Sequence, residues 1–469
     1  MDTFPLLSHT SAAAVVAYRL GVAITAERFV SDARYLAQRL PAGTHVLNVC
    51  TDRYHFAVGF AACLMTERVS LLPSAHTAEV IGQLAALAPD AFCLTDDPHC
   101  DIALPRIQFP AELSAPAEPS ADGRSPQAED GWHAPPIPVM QPAAIVFTSG
   151  STGTPLPYKK TWGKLVRCVR DGAPRLGLAD GRRHALVGTV PAQHMYGFES
   201  TLLLGLQSGN SFSAERPFYP ADIAAALAAV PRPRALVTTP VHLRALLLSE
   251  IELPPLDLMV SATAPLATSL ARDVERAFNA PLVEIYGSTE TGQIATRRTA
   301  AAAAWRLWPG VKLEVTDDQT FAYGGHVEQM TSMCDVIEIT GSDEFLLHGR
   351  TADLINVAGK RSSFGYLNTQ LNAIPGVLDG AFFLHDAATG ATGVARLGAV
   401  VVAPGLSAAT VTMRLRERID PVFLPRPLIL VERLPRNATG KLPQRALQRL
   451  ADAHSQPHSI HSLTMRHER

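Results

Sequence analysis

Short apolar runs at 44–50 (THVLNVC), 69–73 (VSLLP) and 91–95 (AFCLT) alternate with helical-looking segments at 55–65 and 77–87. A chain that alternates strand and helix in this way returns each strand in the same direction, which predicts an α/β layer with parallel strands. Residues 114–138 (SAPAEPSADGRSPQAEDGWHAPPIP) interrupt the pattern; rich in Pro, Ser, Ala and Asp, they read as a surface loop. The alternation then resumes, with strands expected at 143–147, 185–190, 235–238, 257–261 and 282–286 and helices at 221–230 and 266–278. Composition shifts again near 350. Strands at about 380–385 and 397–403, with helices near 407–418 and 443–451, suffice for a small α+β domain. The fold class is therefore α/β: a large N-terminal domain of α/β layers followed by a small C-terminal α+β domain.

Composition narrows the function classes. Of 469 residues, 47% are hydrophobic and 18% charged, enough apolar side chain for large cores and too little charge for global disorder. A net charge of −2 gives no reason to expect nucleic acid or an anionic membrane as partner. The six cysteines form no CxxC pair, and their scatter through apolar runs fits buried free thiols in a reducing compartment. The start, MDTFPLLSHTSAAAVVAYRL, lacks the basic residues of a signal peptide, and no run of transmembrane length is found. A cytoplasmic protein is expected. The histidines of the tail, His454, His458, His461 and His467, are irregularly spaced and read as a frayed end rather than a metal site.

The stretch 147–162, FTSGSTGTPLPYKKTW, follows the apolar run 143–147. Glycines and hydroxyls leaving the end of a strand can present backbone N–H groups and side-chain donors to an anion, and phosphate is the expected guest. It is not a Walker A loop, because GxxxxGK[ST] is absent. Three further stretches follow in order: Tyr286-Gly287-Ser288-Thr289-Glu290, then 349–361 (GRTADLINVAGKR), then 434–442 (LPRNATGKL).

Together these four stretches resemble the adenylate-forming superfamily of acyl-CoA synthetases, adenylation domains and luciferase-like enzymes, and the resemblance covers nearly the whole chain. The run 261–266 (SATAPL) is similar to the family's SGGAPL turn, and 194–198 (HMYGF) sits where the family lines its acyl pocket. Asp335 lies fifteen residues before Arg350, as the family's aspartate and arginine do, although the usual Thr-Gly before it is replaced by Met333-Cys334. The resemblance implies an AMP-forming acid–thiol ligase with a domain at 1–350 holding the ATP and acyl sites, a mobile domain at 353–469, and a hinge near 351–352.

It also implies roles. A carboxylate is joined to the α-phosphorus of ATP, and fixed donors and cations must offset the negative charge gathered there. Glu290 would hold Mg²⁺, and Thr289 would donate to the α-phosphate. Tyr286 would stack on adenine, with Gly287 and the turn Thr263-Ala264-Pro265 beside it. Asp335 would accept from the ribose hydroxyls, with Arg350 alongside. Thr148, Ser149, Gly150, Ser151, Thr152 and Gly153 would cradle phosphates. Lys441, on a loop with Gly440, would bridge the carboxylate and the α-phosphate. Gly359 would let a pantetheine arm pass close to backbone, and His194, Phe198, Thr238, Thr239, Pro240 and Ala262 would bound the acyl pocket.

Two positions depart from the pattern. Leu156 replaces the basic residue of the phosphate loop, leaving Lys159 or Lys160 as a displaced cation, and Ala352 stands where the hinge usually carries Asp or Lys. A histidine and aromatic wall suits a flat aryl acid. The short chain and the QHMYGFE pattern of 193–199 look similar to the 4-hydroxybenzoate:carrier-protein ligases of aryl-polyene and xanthomonadin-type pigment pathways. An acyl carrier protein or CoA is the expected thiol acceptor. A medium- or long-chain fatty acyl ligase and a non-catalytic ATP-binding homologue stay open at this point.

Overall fold

The computed structural model describes residues 2–73, 75–114, 132–148, 156–316, 319–350, 354–357, 360–385, 396–436, 442 and 444–455. They form two compact units, 1–347 and 348–469.

The first unit is built on two large sheets. In the six-stranded sheet the order is Leu156–Thr161, Pro142–Thr148, Val69–Leu72, His45–Asn48, Phe92–Thr95, Arg106–Gln108, all parallel except the first pair. The second, eleven-stranded sheet has a parallel centre: Leu282–Ser288, Leu258–Ser261, Arg234–Thr238, Ala185–Gly188, Ser211–Ser213 and Val15–Arg19. The three early strands and the five later ones expected from the alternation are all present, within three residues at either end.

One helix explains why both sheets share a core. Arg53–Met65 is apolar on every side and buried along nearly its whole length, the pattern of a helix with no solvent face. Asp52 caps it, accepting from the N–H groups of Tyr54 and His55 at 2.7 and 3.2 Å. Its Phe56 and Phe60 join residues of both sheets in a single cluster. The helix Trp162–Arg175 was not anticipated; it adds Trp162, Leu165 and Val166 to the same cluster.

Alternation alone misses two other features. Past Ser288 the sheet turns antiparallel through Gly292–Arg297, Trp305–Leu307 and Glu344–Arg350, with Asp335–Ile339 at its edge; no crossover helix separates Leu282–Ser288, Gly292–Arg297 and Trp305–Leu307. Part of the expected loop 114–138 is strand: Pro136–Pro138 pairs antiparallel with Thr3–Pro5, an edge position where proline's missing N–H costs little.

The second unit is α+β. Asp379–His385 pairs antiparallel with Arg396–Val402, which pairs parallel with Leu428–Leu430. Helices Phe364–Asn372 and Ala408–Arg416 pack Leu367, Leu371, Val411 and Leu415 against Phe382 and Val401. The third helix, Gln444–Ser455, contributes Leu447 and Ala451 to a second cluster with Ala381 and Phe383. Arg436 grips Asp379 with two bonds of 2.8 Å. Among the described residues no helix is long and apolar enough to cross a membrane.

Candidate active site

The parallel strands of the eleven-stranded sheet end side by side, and the candidate residues sit at those carboxyl ends. Thr238 and Thr239 follow Arg234–Thr238, Ala262–Pro265 follow Leu258–Ser261, and Tyr286–Glu290 close Leu282–Ser288. The carboxyl edge of an open parallel sheet is where α/β proteins bind ligands, since loops there are not needed to complete the fold.

The Tyr286–Glu290 stretch is a hairpin. Tyr286 and Gly287 straddle a bulge against Gly292–Arg297. A side chain at Gly287 would come within 2.2 Å of the Gly292 carbonyl, so only glycine fits. The tip is closed by Ser288 and Thr291: each backbone N–H donates to the other's hydroxyl at 3.1 Å. Thr289 and Glu290 are thereby left half-buried at the tip. The Tyr286 hydroxyl donates to Asp335 Oδ2 at 2.8 Å, bringing together two residues that lie 49 apart in sequence, and its ring packs at a tilt against both Trp305 and Phe345.

The turn 262–266 is held from below. Leu266 N–H, Arg297 Nε and Thr299 Oγ1 all donate to the buried Glu284 carboxylate, at 3.2, 2.8 and 2.7 Å. Burial pushes that carboxyl above its ordinary range, while Arg297 and the two other donors hold it down. Thr263 sits at φ +77, a left-handed conformation unfavourable for a β-branched residue. In the resembling turn this position is glycine.

Among the residues expected to bound an acyl pocket, His194 caps the short helix Met195–Gly197, its Nδ1 accepting from Tyr196 N–H at 3.2 Å. Gly197 is required, since a side chain there would meet the Pro191 carbonyl at 2.2 Å. The Tyr196 hydroxyl lies 3.1 and 3.2 Å from the carbonyls of Thr238 and Val260, tying two strand ends together. Thr239 Oγ1 lies 2.9 Å from His242 Nδ1, and Pro240 opens the helix Pro240–Ser249. The Phe198 ring is fully buried and meets Phe56 and Phe60 edge-on, within the main core cluster. Phe198 opens a π-helical turn, Phe198–Leu203, a distortion that often marks functional sites.

Thr148 ends its strand opposite Leu156, so the hydroxyl-rich stretch joins two antiparallel strands. Ser149, Gly150, Ser151, Thr152, Gly153, Ala352, Gly359 and Lys441 lie outside the described residues. Arg350 ends the strand Glu344–Arg350. The two lysines after the stretch face opposite ways, as neighbours in a strand must. Lys159 is exposed, whereas Lys160 is buried and its ammonium donates to the Glu290 carbonyl at 2.6 Å.

Four charged residues that brace the loops of the candidate site escape sequence reasoning: Glu199, Glu284, Arg297 and Arg53. Arg53 donates to the carbonyls of Gly188, Val190, Ser213 and Glu215, clamping the strand ends that lead to His194. The available signal was a charge inside an apolar run, as in 196–206 (YGFESTLLLGL).

A family model described as AMP-binding enzyme matches residues 8–327. A 4-coumarate–CoA ligase of Rhodobacter capsulatus is 32% identical over 277 residues, which are 59% of this chain and 67% of that protein. A 4-chlorobenzoate–CoA ligase of an Arthrobacter species is 25% identical over 365 residues, 67% of each chain. ATP-bound MatB from Rhodopseudomonas palustris superimposes with a TM-score of 0.77 at 18% identity, covering 95% of this chain and 97% of its own. The anthranilate CoA ligase AuaEII, solved with anthranoyl-AMP, gives 0.77 at 16% identity, over 96% and 98%. The chain belongs to the AMP-binding enzyme family. It is an AMP-forming ligase, of the adenylate-forming superfamily that its motifs resemble.

Proposed function

We propose that this ligase activates a hydroxybenzoate-like aryl acid with ATP to an acyl-adenylate, then passes the acyl group to a phosphopantetheine thiol of a carrier protein or of CoA. The observation that carries this reading is the side-by-side placement of Thr238–Thr239, Ala262–Pro265 and Tyr286–Glu290 at adjacent strand ends. That edge can take a nucleotide and a flat acid together. The relatives named as coumarate and chlorobenzoate CoA ligases favour an aryl acid over an alkyl one.

Tyr286 offers an aromatic face for adenine, and Asp335, tied to its hydroxyl, offers carboxylate oxygens for ribose. Glu290 supplies one carboxylate at a tethered tip. Among the described residues no group of three or more His, Cys, Asp or Glu is gathered to cage a metal. A single carboxylate fits Mg²⁺, which commonly takes one or two protein carboxylates and fills its shell with phosphate oxygens and water. When bound, the ion would offset phosphate charge. Thr289 would donate to the α-phosphate, and Lys441 would bring a point charge to the reacting carboxylate. The second unit, turning about a hinge near 351–352, would deliver Lys441 for adenylation and withdraw it for thiol attack.

Exchange of labelled pyrophosphate into ATP with benzoate, 3- and 4-hydroxybenzoate and octanoate tests this. Exchange with a hydroxybenzoate alone supports the aryl reading; exchange with octanoate alone replaces it with a fatty acyl ligase. Lys441→Ala should abolish exchange yet leave thioester formation from supplied acyl-adenylate, and equal loss of both half-reactions with the fold intact would remove the rotation account.

A further inference from the structure

Behind the Glu290 hairpin lies a charged interior, built from residues to which the motifs give no joint role. Lys160 is only 4% exposed and Glu199 only 2%. Lys160 approaches from the edge strand Leu156–Thr161 and donates to the Glu290 carbonyl at 2.6 Å. Glu199 approaches from the π-helical turn. A Cβ on Gly292 would lie 2.9 Å from Glu199 Oε1, so the carboxylate rests directly against the hairpin backbone, where Gly292 holds φ +75. Cys168 Sγ donates to the same oxygen at 3.4 Å. Gln293, next in the hairpin, donates from its side chain to Ser200 Oγ at 2.7 Å.

We propose that Lys160 and Glu199 form a buried charged cradle that positions the Thr289–Glu290 tip for the metal-bound nucleotide, with Lys160 as the positioning residue and Glu199 as its counter-charge. The inference rests on the reading of Glu290 as the metal carboxylate given above. The physical case is one of cost. A buried ammonium is expensive unless opposite charge is near, and an apolar residue would serve packing better. Burial depresses the Lys160 ammonium, and the nearby carboxylates of Glu199, Glu328 and Glu290 work against that depression. A charge kept at such cost, with its ammonium on the backbone of Glu290 itself, fixes that residue's position more firmly than the turn alone. It also reassigns the displaced cation: Lys160 serves the hairpin from inside the protein, and Lys159 is the lysine on the open face.

The test uses the full chain with Lys160→Met, Glu199→Gln and the double variant. ATP binding is measured by calorimetry with Mg²⁺ and with EDTA, alongside Tm and, for active protein, the KM values for ATP and for the acid. Lys160→Met should weaken Mg²⁺-ATP binding roughly tenfold or more, the scale of one charge-assisted hydrogen bond, while changing Mg²⁺-free ATP binding and the acid KM by no more than about twofold. Its Tm should fall, because Glu199 is left without its cation. The double variant should recover Tm but not Mg²⁺-ATP affinity. Wild-type Mg²⁺-ATP affinity in Lys160→Met, recovery of both quantities in the double variant, or wild-type ATP binding indifferent to Mg²⁺ would each overturn the cradle. Wild-type protein that binds Mg²⁺-ATP but exchanges no pyrophosphate with any acid would sink the ligase substrate reading alone, and the calorimetric comparison would still decide the cradle.

Discussion

Glu284 and Glu199 are both buried acids beneath loops of the candidate site, and they are held in opposite ways. Glu284 accepts from a guanidinium and a hydroxyl on one oxygen and from a backbone N–H on the other, so both oxygens have donors and one of them a cation. Glu199 has the weak Cys168 thiol and the neutral amides of Gln293 as donors, and the Lys160 ammonium acts on it through space. Burial therefore pushes the Glu199 carboxyl up to about 7 from 4.5, against the pull of Lys160, Cys168 and Gln293. The contrast teaches that a buried carboxylate can be either a rivet or a poised charge. The turn 262–266 sits on the rivet. The hairpin that carries Glu290 sits on the poised one.

The largest effect should come from removing the rivet's cation. Arg297→Met leaves Glu284 buried without its counter-charge and should cost about 3 kcal/mol or more in urea unfolding. A loss under about 1 kcal/mol would break the contrast at its strong end. Next is pH. Because the folded pKa of Glu199 is raised, the folded state keeps a proton that the unfolded chain releases between about 4.5 and about 7. Stability from this group is thus highest below that window and falls as pH rises through it. Lys160, Cys168 and His326 also lie close by; Glu199→Gln removes the Glu199 titration, and with it the carboxylate that raises both the Lys160 ammonium and the Cys168 thiol. Relative to native protein, the variant should gain about 2 kcal/mol between pH 5 and pH 8. Unfolding curves at the two pH values with no change in that difference would show that Glu199 is held as firmly as Glu284.

Thr299→Val removes one of Glu284's three donors and should cost about 1.5 kcal/mol by the same unfolding measurement. If it costs nothing, Arg297 alone is the rivet. The smallest effect belongs to Tyr286→Phe, which loses the 2.8 Å bond to the half-buried Asp335. About 0.5 kcal/mol of stability should go, read as a small drop in Tm. A larger drop would mean that this pair, too, is a rivet.

Much of the scaffold was legible. The apolar runs 69–73 and 91–95 became Val69–Leu72 and Phe92–Thr95, because a short run of buried β-forming residues has few other ways to satisfy its backbone. Helix 266–278 began at Thr268, just after the exposed Pro265. The Tyr286–Glu290 stretch was found by motif and did prove to be a turn at a strand end. That the Phe198 ring turns toward Phe56 and Phe60 was not legible, because an aromatic beside His194 says nothing about which side its ring takes. The helix Trp162–Arg175 carries no clear start signal, because the strand Leu156–Thr161 runs directly into it and Thr161 makes no side-chain cap bond.

The sequence by itself determined the class of fold, the positions of most strands and helices, and the order of the motifs that mark an adenylate-forming enzyme. Those depend on local pattern, since periodicity and turn chemistry act within a few residues. Only the tertiary structure decided which lysine turns inward, that Glu199 comes to lie under Gly292, and that Arg297 and Thr299 converge on Glu284. Glu199 and Gly292 are 93 residues apart. Such meetings depend on sheet order and on the register of neighbouring strands, and a shift of one residue in the strand Leu156–Thr161 would have turned Lys159 inward instead.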